Sequence, residues 1–166
     1  MRDRPQHAYL QAHWSGATAG VAAFTQAAAS LAGRDDVAAR DLRALTDEIV
    51  ADRESLRRLM SMVGLSPALV STVSGRVSAT VHRLTPRVPA ARGRGVTDVL
   101  KLEGLRAAVA GKRAGWDLLR SVAEYDARLD AALLDELAGR ADEQLERLQQ
   151  VHLRVGVAAM SGVSAE

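Results

Sequence analysis

The chain has no cysteine, so it can form neither disulfides nor thiolate metal sites, as suits a cytoplasmic protein. Aromatic residues make up only 3% although 48% of the chain is hydrophobic. Strands draw on β-branched and aromatic side chains, so this balance favours helices. Charge of either sign is missing from Pro5 to Gly33. Gln6, His7, Gln11, His13, Ser15, Thr18, Thr25, Gln26 and Ser30 nevertheless recur too often there for a lipid-facing span. No membrane span is expected, and Met1 to Pro5 lack the apolar core of a signal peptide. A net charge of +2 is too small to name a polyanion partner by itself. With no strand evident, no glycine-rich phosphate loop follows one, and no Ser–His–Asp constellation has support.

At 166 residues the chain fits one domain, 1–166, with room for a sizeable core. A first helix is expected over about 5–32, from Pro5 to a stop at Gly33. Asp35 or Asp36 opens a second over about 36–63, which Gly64 ends. Ser66 and Pro67 restart a short peripheral helix over about 67–84, with Val70, Val73, Val77, Val81 and Leu84 on one narrow face. Proline, glycine and arginine mark 85–95 as a loop. Long helices over about 96–124 and 130–160 complete an all-α four-helix bundle. Short connections make each flanking pair an antiparallel hairpin, and the 64–95 connection is long enough to cross the whole bundle. The hairpins also align at a constant offset. Leu10, Phe24, Leu45, Ile49, Asp52 and Leu56 fall against Leu102, Trp116, Leu137, Ala141, Gln144 and Leu148.

Each apolar stripe carries a polar interruption. Asp52 stands in Leu42, Leu45, Ile49, Leu56, Leu59; Lys112 in Leu102, Leu105, Val109, Trp116, Leu119; Gln144 in Leu134, Leu137, Ala141, Leu148, Val151. His13 lies beside Leu10, Trp14, Ala17, Val21, Phe24. Level-counting brings His13, Asp52, Lys112 and Gln144 toward one polar core layer. An unpaired buried charge costs several kcal/mol, so Asp52 and Lys112 should meet each other or water. Alternatively, Lys112 snorkels past a helix edge and Asp52 sits at the rim with Asp41 and Glu48. Small residues form a further pattern: Gly16, Gly20, Ala23, Ala27 on the first helix and Gly104, Ala108, Gly111, Gly115 on the third. Each mid-helix glycine costs about 0.5–1 kcal/mol against alanine. Close helix approach, with Gly20 near Ala108, is the expected return, and a homodimer seam is the alternative.

This arrangement, two hairpins joined by a long crossover, resembles the ferritin-like superfamily. The resemblance is topological and implies a di-iron or di-manganese centre, built from a Glu on each of two helices and Glu-x-x-His on each of the others. The chain departs from that set. Arg4, Leu10, Ala79 and Gln149 precede His7, His13, His82 and His152 by three, so no Glu-x-x-His exists. Glu48 matches the family's glutamate, but Ala51 takes the histidine's place. Asp142, Glu143 and Glu146 fall on the face opposite Leu137, Leu148 and Val155. Oxidase and iron-storage chemistry are therefore not expected.

Three function classes remain in view. The first is a non-catalytic, cofactor-free interaction or structural bundle with a degenerate metal site, acting as a homodimer or with a protein partner. The second retains one divalent metal ion or small ligand at His13, Glu48 and Asp52, with a redox or stress role. The third is a nucleic-acid-associated protein using Arg76, Arg83, Arg87, Arg92 and Arg94. That basic stretch has no interleaved aromatics for base stacking. His152, Trp14 and Trp116 read as core packing.

Overall fold

A computed structural model describes residues 4–66 and 93–161 of the chain. All four described elements are α-helices: α1 (Arg4–Leu31), α2 (Asp36–Met62), α3 (Gly93–Val122) and α4 (Ala131–Ser161). No strand occurs among the described residues. The short-helix expectation over 67–84 lies outside them, as does most of the 85–95 loop. Gly93 to Gly95 were expected in that loop but begin α3. There Gly95 lies tight on α4, where a Cβ would stand 2.9 Å from that of Ala159. The glycine that suggested a loop instead allows a close helix approach.

Local chemistry sets the helix ends. Asp35 caps α2, its carboxylate accepting from the Ala38 N–H at 3.0 Å. At the other end Gly64 takes φ +79°, while Leu65 N–H donates to Met60 O and Gly64 N–H to Ser61 O. This is a Schellman turn, and its left-handed residue is the expected glycine. Asp130 opens α4 by accepting from the Leu133 N–H. Asp126, in the α3–α4 turn, accepts from Arg128, which holds its carboxyl well below the usual carboxylate range, and from Gln6 at 3.2 Å.

The four apolar stripes supply the core: Leu10, Phe24, Leu42, Leu45, Leu59, Leu102, Leu134, Leu137 and Leu148 are fully buried. Helices α1 and α2 pack along one another, as do α3 and α4, with lighter contacts between α1 and α3 and between α2 and α4. Ser30 near the end of α1 meets Asp98 near the start of α3, and His13 lies against Gly115. Asp35 at the start of α2 meets Arg154 of α4, and Asp52 meets Gln144.

These contacts pair the halves reciprocally. Asp52 and Gln144 are 92 positions apart. Shifting by that number converts the pair Arg34–Asp98 into Asp126–Gln6, and Asp52–Arg140 into Gln144–Glu48; both counterparts are present. When i meets j and the equivalent of j meets the equivalent of i, the halves are related as in a two-fold interface. The constant offset in the sequence is thus a spatial relation.

Candidate functional site: a closed ionic layer beside an open groove

Asp52 replaces an apolar residue one turn after Ile49, which carries its carboxylate into the bundle, where it is 1% exposed. Its Oδ2 accepts from Lys112 Nζ of α3 and, at 3.1 Å, from Gln144 Nε2 of α4. Its Oδ1 forms an ion pair with Arg140 Nε at 2.8 Å. The Gln144 amide is held at both ends: Oε1 accepts from Lys112 at 2.5 Å, and Nε2 also reaches Glu48 Oε2 at 3.3 Å. Arg147 pairs with Glu48 on the outer side. Burial lowers the Lys112 pKa, and the charge of Asp52 opposes that shift. Three members of the expected layer, Asp52, Lys112 and Gln144, therefore meet inside the bundle, and Asp52 is not at a rim.

His13 is not joined to them by any hydrogen bond among the described residues. Its ring lies 4.4 Å from that of Tyr9 and presses on Gly115, where a Cβ would come within 2.7 Å of Cε1. Burial lowers its pKa. The proposed metal set of His13, Glu48 and Asp52 has its carboxylates occupied by Lys112, Arg140, Gln144 and Arg147. Among the described residues no group of three His, Cys, Asp or Glu is placed to hold a metal. Of the five crossover arginines only Arg94 lies among the described residues, and it is exposed. No described helix is long and apolar enough to cross a membrane.

A second buried acid went unrecognised in the sequence. Asp98 is 2% exposed and accepts from Ser30 at 2.8 Å, Arg34 at 2.6 Å and Lys101 at 3.4 Å. Its signal resembles that of Asp52, since Asp98 begins the stripe that runs through Leu102, Leu105 and Val109. Arg140 and Arg147 were also missed; Arg140 lies one turn before Gln144, at the edge of the α4 core face. His152 makes a 3.3 Å contact with Glu103 rather than serving the core.

The small-residue ridges do not close on one another. Among the described residues, no foreign atom lies within 4 Å of where a Cβ would stand at Gly16, Gly20, Gly104 or Gly111. These glycines, with Ala23 and Ala108, line a cavity of about 750 Å³ between α1 and α3. The expected close approach is confined to Gly115 under His13. Elsewhere the missing side chains leave a groove. His13, Asp52, Arg53, Lys112 and Trp116 line it toward one end, and Thr97 and Lys101 toward the other. Trp116 is 4% exposed, and its indole N–H has no acceptor among the described residues. Arg53 lies over the Trp14 ring, 5.8 Å from its centroid.

Comparison of the chain with protein-family profiles, curated proteins and solved structures finds no match.

Proposed function

We propose that the chain is a non-catalytic, ferritin-like bundle that works by binding and interaction, as a homodimer or with a protein partner. The observation that carries this reading is the Lys112 ammonium bound to Asp52 and Gln144. In the superfamily that the helices resemble, carboxylates on facing helices gather round metal; here cations of the chain itself neutralise them. Asp52, Glu48, Lys112, Arg140 and Arg147 together carry one surplus positive charge, which disfavours entry of a divalent cation. Gln144 has both amide protons given to carboxylates and its carbonyl oxygen held by Lys112, so no proton of it is left for substrate.

The ferritin-like connectivity rests on where helix ends fall. His7 contacts the Val63 carbonyl at 3.1 Å, drawing the end of α2 to the start of α1. Ser30 and Asp98 draw the start of α3 to the end of α1. The end of α2 and the start of α3 thus fall at opposite ends of α1, which supports the crossover arrangement over simple up-down-up-down. For a second copy, Leu153, Val157 and Met160 offer an exposed apolar stripe on α4.

The test is elemental analysis of protein purified without added metal, followed by titration with iron(II), manganese(II) and zinc(II). The expected result is less than a tenth of an equivalent bound, and no change on Asp52→Asn. One equivalent of metal retained by the wild type and lost in Asp52→Asn would overturn the reading in favour of a metal-dependent role. Sedimentation of the same samples checks the homodimer.

A further inference from the structure

We propose that the groove between α1 and α3 is a binding site for a single-chain amphipathic carboxylate, with its acyl chain along the glycine-lined walls and its head at the Lys112–Trp116 end. This deepens the reading above by naming a ligand class.

Shape is the first support. Helix interiors with glycine at positions 16, 20, 104 and 111 forgo helix stability, and none of the four has a packing partner among the described residues. What the glycines provide is open volume, about 750 Å³, within the range of small-molecule sites. At about 1.5 Å per residue, the wall from Thr97 to Trp116 extends on the order of 28 Å. Phe24, Ile49, Leu56, Leu105 and Val109 form its apolar floor. A long, narrow, apolar trough fits an alkyl chain better than a planar or polar ligand.

Charge and hydrogen bonding set the head group. Each buried aspartate beside the groove already faces two cations: Asp52 has Lys112 and Arg140, and Asp98 has Lys101 and Arg34. Arg53 adds a guanidinium with no ion pair among the described residues. Of the charged residues that line the groove itself, Arg53, Lys101 and Lys112 stand against Asp52, an excess of positive charge. Lys112, with one proton beyond those given to Asp52 and Gln144, and Arg53 offer cationic donors; a carboxylate meets them with a charged acceptor, an alcohol only with a neutral one, and a quaternary ammonium with none.

The experiment is calorimetric titration of the full chain with laurate, dodecanol and dodecyltrimethylammonium, with decanoate for chain length. Expected are saturable one-to-one laurate binding and affinity at least about tenfold weaker for both other heads. Each methylene removed should weaken binding about fourfold. Gly20→Leu with Gly104→Leu fills the trough and abolishes binding with an unchanged helical circular dichroism spectrum, because both sites have room for a side chain. Arg53→Gln, on a partly exposed residue, weakens laurate and leaves dodecanol unchanged. No saturable binding, equal affinity for the three heads, or binding indifferent to the leucines would overturn the proposal. A wild-type dimer that becomes monomeric on filling, without binding laurate, would overturn it and assign the groove to a second copy. Metal content is read separately, so failure here leaves the non-catalytic reading intact.

Discussion

Asp52 on α2 and Gln144 on α4 occupy equivalent positions in the two halves, and the amide of one donates to the carboxylate of the other at 3.1 Å. Equivalent residues that meet lie where the two-fold relation brings the halves face to face. Two identical carboxylates there would repel, and one would have to take up a proton. An acid opposite an amide makes a donor–acceptor pair instead. Once the halves differ there, Lys112 can bridge both from α3. The layer is asymmetric where symmetry would be most costly.

That arrangement sets the cost of removing its parts. Asp52→Leu should destabilise the fold by about 3–5 kcal/mol, because it strands Lys112 without its carboxylate. Asp52→Leu with Lys112→Met should recover at least half of that loss; Arg140, at the helix edge, can turn to solvent. Urea denaturation of both variants measures the difference. A double variant no more stable than the single one would remove the ion pair from the account.

The glycines separate into two kinds by substitution. Gly111→Ala enters open space and should raise stability by about 0.5–1 kcal/mol through helix propensity. Gly115→Ala meets the His13 ring and should be about 1–3 kcal/mol worse than Gly111→Ala. Adding His13→Ala should erase most of that gap in a double-mutant cycle by thermal denaturation. Two equally tolerated alanines would mean the ring yields without resistance.

Asp35 serves two elements at once. It caps α2 through the Ala38 N–H and holds Arg154 of α4 at 2.8 and 3.0 Å while only 8% exposed. Asp35→Ala should cost about 1–2 kcal/mol for the cap, and more for the lost ion pair. Asp35→Ser keeps the cap alone and should fall between the two. Equal losses for alanine and serine, measured by chemical denaturation, would assign the whole effect to Arg154.

Much of this was legible because period and punctuation agree. Helix stripes, Asp35, Gly33 and Gly64 all mark the same boundaries, and a lone Asp52 in a leucine stripe has few stable outcomes besides pairing. Two things were not legible. A glycine ridge reads the same whether helices close on it or splay around it; the choice depends on the bulk of neighbours such as Phe24, Leu105 and Trp116. Nor does spacing tell which edge residue turns inward, so Arg140 and Arg147 could not be told from solvated polar residues of α4. Asp98 was readable by the argument applied to Asp52: it falls inside the expected helix over 96–124, four residues before Leu102 on the same stripe.

His13 makes stability depend on pH. Burial holds its pKa below the ordinary value of 6.5, so the unfolded chain binds its proton more readily than the folded one. Stability from this residue is intact well above pH 6.5, falls as acid takes the pH down through 6.5, and levels off below the folded value. The neighbours fit that sign. The uncharged Tyr9 ring lies tilted against the imidazole, Gly115 packs at its Cε1 edge, and of the charged residues in the same groove Arg53, Lys101 and Lys112 outnumber Asp52. One proton sets a ceiling of about 1.4 kcal/mol per pH unit, and the ring's remaining solvent contact reduces it. Unfolding free energies from pH 8 to 5 should therefore decline more steeply for the wild type than for His13→Gln. Parallel profiles would show that His13 titrates alike in both states, and an imidazole that protonates near 6.5 by NMR in the folded protein would show it directly.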